Sequence, residues 1–408
     1  MNRDVRMRGF AHRTPVGDVV DWIEQLELPQ RTETIELAAA HHRVLKEDIV
    51  STVNVPGFRR SMMDGFAVHA ADLQGADNYN PIELSVVGQV YPGQSCGRGI
   101  GTGEAVQVMT GAEVPDSADA VVPVEHAQID SDTRVQILSP IAPSKNIGRI
   151  GEDIAQGDTV LNAGRKLRPQ DVGLLSSIGR SDVPVYQRPR VRIVVTGNEL
   201  LSAGTMPQGV QIVDSNSVML QGLVERDGGL PIFPGILPDD PEQILDAFHS
   251  DCDIILVAGG SSTGKEDYAP TLIAEHGELA IHGVAMRPSS PAGVGRIDDK
   301  PVFLLPGNPV SCLCAYDFFA RIAIRKIGGL SSDWPYKQVR LPLVSKISSA
   351  LGRTDYARVQ IVNEQVEPIA ISGASILSST IKASGFCIVP AESEGYGSGT
   401  EVTVFCYD

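Results

Sequence analysis

At 408 residues the chain is too long for one ordinary core, so several domains are expected. Hydrophobic content of 42% fits a water-soluble globular protein, and the net charge of −16 argues against a general nucleic-acid or membrane-surface role, because both need a basic face. An anionic small molecule is not excluded, since it needs only local positive groups. MNRDVRMRGF has arginines with no apolar stretch behind them, so no signal peptide is expected, and no apolar run approaches a membrane span. The six cysteines (96, 252, 312, 314, 387 and 406) include no CxxC pair. They read as reduced core residues of a cytoplasmic protein, not as a disulfide or zinc framework.

Apolar positions at Val16, Val19, Val20, Trp22, Ile23 and Leu26 predict a first helix, and LAAAHHRVL predicts a second over roughly 34–46. His41 and His42 are adjacent and no third ligand is spaced for a metal, so they read as ordinary histidines. From about 52 to 147 helical periodicity fades. VQVMT, AVVPV and RVQIL look like strands of a small β-rich domain. Within it, Asp64 precedes Gly65 in SMMDGFAV, and Thr110 closes a strand in MTGAEVP. Asp153 follows in the glycine-flanked turn GEDI, and Pro169 opens a short helix. From Pro189 to about 327 strands alternate with helices, the pattern of a doubly wound α/β domain. VRIVVTGNEL ends in Thr196, Asn198 and Glu199; Asp214 or Ser215 is placed to cap a helix through about 227. The pair Asp239-Asp240 before Pro241 suits helix capping as well as chemistry. After Gly328-Gly329, short strands predict a C-terminal β-barrel or sandwich.

The stretch from Asp253 to Ser311 holds three short apolar runs that end in DIILVAGGSSTGKEDY, VAMRPSSPAG and PVFLLPGNPVS. Loops at the strand C-termini of a parallel sheet form its ligand crevice, so all three are expected to crowd one site. Gly259, Gly260 and Gly264 allow backbone N–H groups close to an anion. Gly307-Asn308-Pro309 starts a helix whose N-terminus also favours negative charge, with Ser311 in its first turn.

Taken together and in order, SMMDGFAV, MTGAEVP, GEDI, TGNEL, GGSSTG, EDY and PGNPVS resemble the MoeA family of molybdopterin molybdenumtransferases, which includes the E domain of gephyrin. The resemblance covers almost the whole chain. It implies an elongated segment made of residues 1–51 and 148–184, an inserted β-rich domain at 52–147, an α/β molybdopterin-binding domain at 185–330 and a C-terminal β domain at 331–408. It also implies a cytoplasmic homodimer, with the site formed between the α/β domain of one subunit and the inserted domain of the other. The implied reaction joins molybdate to adenylylated molybdopterin and releases AMP with Mg²⁺. Carried over by motif, Asp64, Thr110, Asp153, Glu199, Asp239 and Asp267 form the catalytic set. Glu199, Asp239 and Asp267 are the implied magnesium ligands. Gly259, Gly260, Ser261, Gly264, Lys265, Arg287, Ser290, Gly307, Asn308 and Ser311 are the implied substrate contacts. Implied partners are other proteins of cofactor synthesis or acceptor apoenzymes, with no nucleic acid and no membrane.

The sequence departs from the family pattern in its anion loops. Where the family has KPGKP, this chain has Arg287 and Ser290; TGNEL has Asn198 for the usual Asp; and Lys265 follows GGSSTG. An arginine still binds an oxyanion through its fork, whereas a serine supplies no charge. Lys265 is expected to restore the charge absent at Ser290. Two rival readings follow: a weak paralogue that carries molybdopterin, and an enzyme with altered oxyanion choice such as tungstate. A generic Rossmann enzyme fits poorly, because no GxGxxG follows the first α/β strand.

Overall fold

The computed structural model describes residue 10 and residues 12–260, 267–370 and 372–407. Two distant pieces of chain make the first unit. Thr32–Glu36 runs antiparallel to Asp182–Tyr186, and Ile49–Val50 pairs with Thr159–Leu161. Leu45, Leu167, Leu175 and Val183 are buried between them. The helix predicted over 34–46 is absent. Its start lies in the strand, and one 3₁₀ turn at Leu37–Ala39 follows. The β-branched Thr32, Thr34 and Ile35 fit a pleated ribbon, and cross-strand pairing overrides the helical preference of LAAA. The helix Val16–Glu24 goes elsewhere: Val19 and Ile23 are buried in the α/β core, where Lys326 Nζ caps Glu24 and Leu26 carbonyls at 2.6 and 2.9 Å.

The β-rich unit is one six-stranded sheet with Gly65–Val68 between Ala120–Pro123 and Glu104–Val108. Alternation sends Phe66 and Val68 to one apolar cluster and Ala67 to another on the opposite face. Gly65 is required where it stands, since a Cβ there would lie 1.9 Å from Val122 O.

The α/β unit has a sheet in the order Leu230–Ile232, Arg190–Thr196, Ile254–Ala258, Lys300–Leu305, Gly293–Ile297, Glu278–His282. The first four run parallel and the last two join as an antiparallel extension, so the sheet is mixed. Both faces are covered. Val191, Ile193 and Val195 meet the helix Asn216–Arg226 and the long helical stretch after Pro309. Val194, Ile255 and Val257 meet Pro241–Phe248 and Ala269–His276.

The expectation of three strand-end loops in this sheet needs correction. Met286–Arg287 is a two-residue strand of the C-terminal sheet, running parallel to Thr354–Asp355. Its Arg287 side chain ion-pairs with the buried Asp355 carboxylate of that sheet. The C-terminal sheet also shares a core with the α/β unit. Tyr356, Phe386 and Phe405 stack in sequence at 4.2 and 5.0 Å, and Trp334 and Phe318 close the stack. All six cysteines are free. Among the described residues no helix is long and apolar enough to cross a membrane.

Pro169 does open a helix, Pro169–Ser177, and Asp171 in its first turn anchors the first unit. Its carboxylate accepts from Arg168 at 3.0 and 3.1 Å and from Arg165 at 2.9 and 3.0 Å. Arg168 first, and then Arg165, hold this carboxyl well below its ordinary range. A depressed native value means the stabilisation is complete above the unfolded value and fades as pH falls toward the native one. Both guanidiniums keep contact with water, so Asp171→Asn should cost roughly 1–2 kcal/mol at pH 7. In urea titrations that difference should shrink as pH drops below the ordinary value of 3.8.

Candidate active site

The C-terminal ends of the parallel strands open into a cleft of about 620 Å³. Glu199 reaches it from the turn after Arg190–Thr196, Asp239 from the segment after Ile236–Leu237, and Asp267 from the segment before Ala269–His276. Gly259 and Gly260 form one wall, while Gly307 and Asn308 form another. Gly259 and Gly260 have φ of +97° and +56°. A Cβ on Gly259 would meet Thr196 O at 2.6 Å, so the turn sits directly against the neighbouring strand end.

The acidic pair before Pro241 divides its work. Asp240 caps Pro241–Phe248 by accepting from Glu242 and Gln243 N–H at 2.9 and 3.1 Å. Asp239 is thereby left to face the cleft, where its Oδ2 accepts from Asn198 N–H at 3.0 Å. Asp214 likewise caps, accepting from Asn216 and Ser217 N–H at 2.8 and 3.1 Å. The described lining therefore carries carboxylates and no Lys or Arg. No group of three His, Cys, Asp or Glu among the described residues is close enough to cage a metal.

Asp64, Thr110 and Asp153 do not line this cleft. Asp64 and Thr110 are nonetheless one constellation. Gly65 lies opposite Val108 in antiparallel register, which brings the residues beyond them together. Thr110 donates to Asp64 Oδ1 through its N–H and its hydroxyl, both at 2.7 Å. These two bonds, the backbone one first, pull the Asp64 carboxyl below its ordinary value. It is an exposed, pre-oriented carboxylate. Asp153 is exposed in its turn, with its N–H held by Val55 O at 3.1 Å.

Several implied contacts stand elsewhere. Arg287 is held by Asp355 outside the cleft, so the RPSSP loop brings no charge to it; only its last residue, Pro291, reaches the lining. The Ser290 hydroxyl is buried without a partner. Ser311 is 3% exposed and does not line the cleft. The helix start it belongs to is already occupied, because Pro309 has no N–H and Val310 N–H donates to Ala374 O at 3.0 Å. Ser261, Gly264 and Lys265 lie outside the described residues.

The structure adds lining residues that the motifs did not single out. Ser375 comes from the C-terminal unit and donates to Asn308 Oδ1 at 2.9 Å. Asn216 donates from Nδ2 to Gly307 O at 2.7 Å. The polar DSN run before an apolar helix was the available signal for Asn216; nothing in local spacing points to Ser375.

Known proteins match this chain over most of its length. Residues 14–179 match the MoeA N-terminal region (domain I and II), 192–326 a probable molybdopterin binding domain, and 340–406 the MoeA C-terminal region (domain IV). The molybdopterin molybdenumtransferase of Haemophilus influenzae is 32% identical over 390 residues, 94% of this chain and 95% of that one. The chain belongs to the MoeA family. Molybdopterin molybdenumtransferase 2 of Mycobacterium tuberculosis is 35% identical over 389 residues, covering 92% and 95% of the two chains. The crystal structure of a MoeA protein from Pyrococcus horikoshii superposes with a TM-score of 0.79 at 33% identity, covering 97% of this chain and 100% of that one. In this MoeA family member the glycine turn leaves no room for a side chain. Gly259→Ala should destabilise the protein by about 1–3 kcal/mol through its positive φ and the clash with Thr196 O. Thermal melting of the variant beside wild type checks this.

Proposed function

We propose that this chain is a molybdopterin molybdenumtransferase of molybdenum cofactor synthesis, joining molybdate to adenylylated molybdopterin with release of AMP. One observation carries the reading: three motif carboxylates from separate loops line a single cleft beside a glycine turn. Its volume suits a small molecule of nucleotide size. The alternative of a passive carrier loses its main support, because the two positions that suggested it, Arg287 and Ser290, do not line the cleft.

An acidic lining facing an anionic substrate is unfavourable unless a cation lies between them. Magnesium fits that need. It binds proteins through one or two carboxylates and takes its remaining ligands from substrate oxygens and water, so no protein cage is required. One or two of Glu199, Asp239 and Asp267 would hold it, with substrate oxygens and water as the other ligands. When bound, it supplies charge neutralisation and polarisation of the phosphoanhydride. The chain's own groups do the positioning. Asn198 N–H fixes the Asp239 carboxylate, and the glycine turn lets phosphoryl oxygens approach backbone N–H groups closely. In a homodimer, Asp64 and Thr110 of the second copy complete the site and orient the attacking oxygen.

Purified protein incubated with adenylylated molybdopterin, Mg²⁺ and molybdate should release AMP in a molybdate-dependent way. Asp239→Asn should lower that rate by at least about 10²-fold with a near-native melting temperature. Asp240→Ala should do the reverse, keeping activity while losing its helix cap, about 1 kcal/mol. Tight substrate binding without molybdate-dependent release would refute the transferase reading. Shared sites predict complementation: mixing Asp64→Asn with Asp239→Asn protein, after subunit exchange, should recover about a quarter of wild-type activity. No recovery despite proven exchange would place both residues in one subunit's site.

A further inference from the structure

Two polar side-chain atoms in the cleft wall are buried without any hydrogen-bond partner, Thr196 Oγ1 and Asn216 Oδ1. The residues are 4% and 7% exposed. Native proteins rarely leave such atoms unpaired, and each one calls for an explanation. Their chemistry differs. Asn216 Nδ2 donates to Gly307 O at 2.7 Å, which fixes the carboxamide with its oxygen left over, an acceptor only. The Thr196 hydroxyl carries a proton that nothing accepts. It lies against the glycine turn, where a Cβ on Gly260 would meet it at 2.8 Å.

We propose that Thr196 and Asn216 are specificity-determining substrate contacts. Thr196 donates to a phosphoryl oxygen, and Asn216 accepts from a hydroxyl or amine of the organic group esterified to that phosphate. The proposal rests on the transferase reading and deepens it. The carboxylates of the lining answer to a cation, whereas these two neutral groups meet the ligand directly. Both atoms are closed to water here, so ligand contact requires the adjoining Gly259–Gly260 turn to move aside. A bare inorganic anion satisfies Thr196 and leaves Asn216 unpaired. A nucleotide satisfies both, and a site with a buried polar group discriminates strongly against the ligand that leaves it unpaired.

Calorimetric titration of the full chain with AMP and with inorganic pyrophosphate, each with Mg²⁺, separates the two roles. Thr196→Val should weaken both ligands about tenfold, which corresponds to about 1.4 kcal/mol. Thr196→Ser should restore them. The same Thr196→Val protein should melt at or above the wild-type temperature, because the hydroxyl it loses bonds to nothing in the protein. Lower affinity with undiminished stability is a signature that a structural threonine cannot give. Asn216→Ala should weaken AMP about tenfold and leave pyrophosphate within about twofold. Wild-type affinity for both ligands in Thr196→Val, or equal losses for both in Asn216→Ala, would overturn the assignment while leaving the transferase reading intact. A wild-type protein that binds neither ligand would overturn this assignment, while the transferase reading is decided separately by molybdate-dependent AMP release.

Discussion

Parallel register at the centre of the α/β sheet governs the geometry of everything else. Val195 lies opposite Ala258, and Ala258 opposite Leu305, so three strands end at one level. Each end must turn, and the turns have nowhere to go but over the same edge. That edge is where Glu199, the Gly259–Gly260 pair and Gly307-Asn308 meet. A one-residue slip would carry Ile255 and Val257 from one apolar face to the other, so packing on both sides locks the level of the strand ends. The site inherits its rigidity from this core.

Electrostatics then decides what the cleft can hold. A chain of net charge −16 that concentrates carboxylates in its described cleft lining repels an oxyanion from a distance. On the proposed reading a cation offsets this repulsion, and affinity for the anion should depend steeply on it. Asn198 contributes to this arrangement: its backbone N–H goes to Asp239, and its neutral side chain adds no further negative charge. The glycine turn provides contacts that carry no net charge, which is the way to grip an anion in an acidic neighbourhood.

Much of this was legible in the residues themselves. Short apolar runs closed by glycine announced the central strands, and their polar ends announced Glu199 and the glycine turn. Asp239 was ambiguous in sequence because either member of an Asp-Asp-Pro run can cap; only the backbone geometry gives that task to Asp240. The second helix failed because LAAA has strong local preference, while its partner strand lies some 150 residues further on and leaves no trace in local periodicity. Arg287 was misplaced for the same reason, since the buried Asp355 that captures it lies 68 residues away. Ser375 was invisible because its role exists only where the C-terminal unit touches Asn308. Local pattern reads loops well; it cannot read which distant side chain arrives at them.

The two-residue strand Met286–Arg287 has a wider consequence. It belongs to the α/β segment by chain order and to the C-terminal sheet by backbone pairing. Together with the shared aromatic stack and the Ser375–Asn308 contact, it stitches the last 70 or so residues into the body that carries the cleft. The C-terminal unit is therefore no detachable appendage. A protein shortened before Lys337 would bare an aromatic face, strand the Arg287 guanidinium without its counter-charge and unmoor one wall of the pocket. Loss of the tail would be felt as loss of the site.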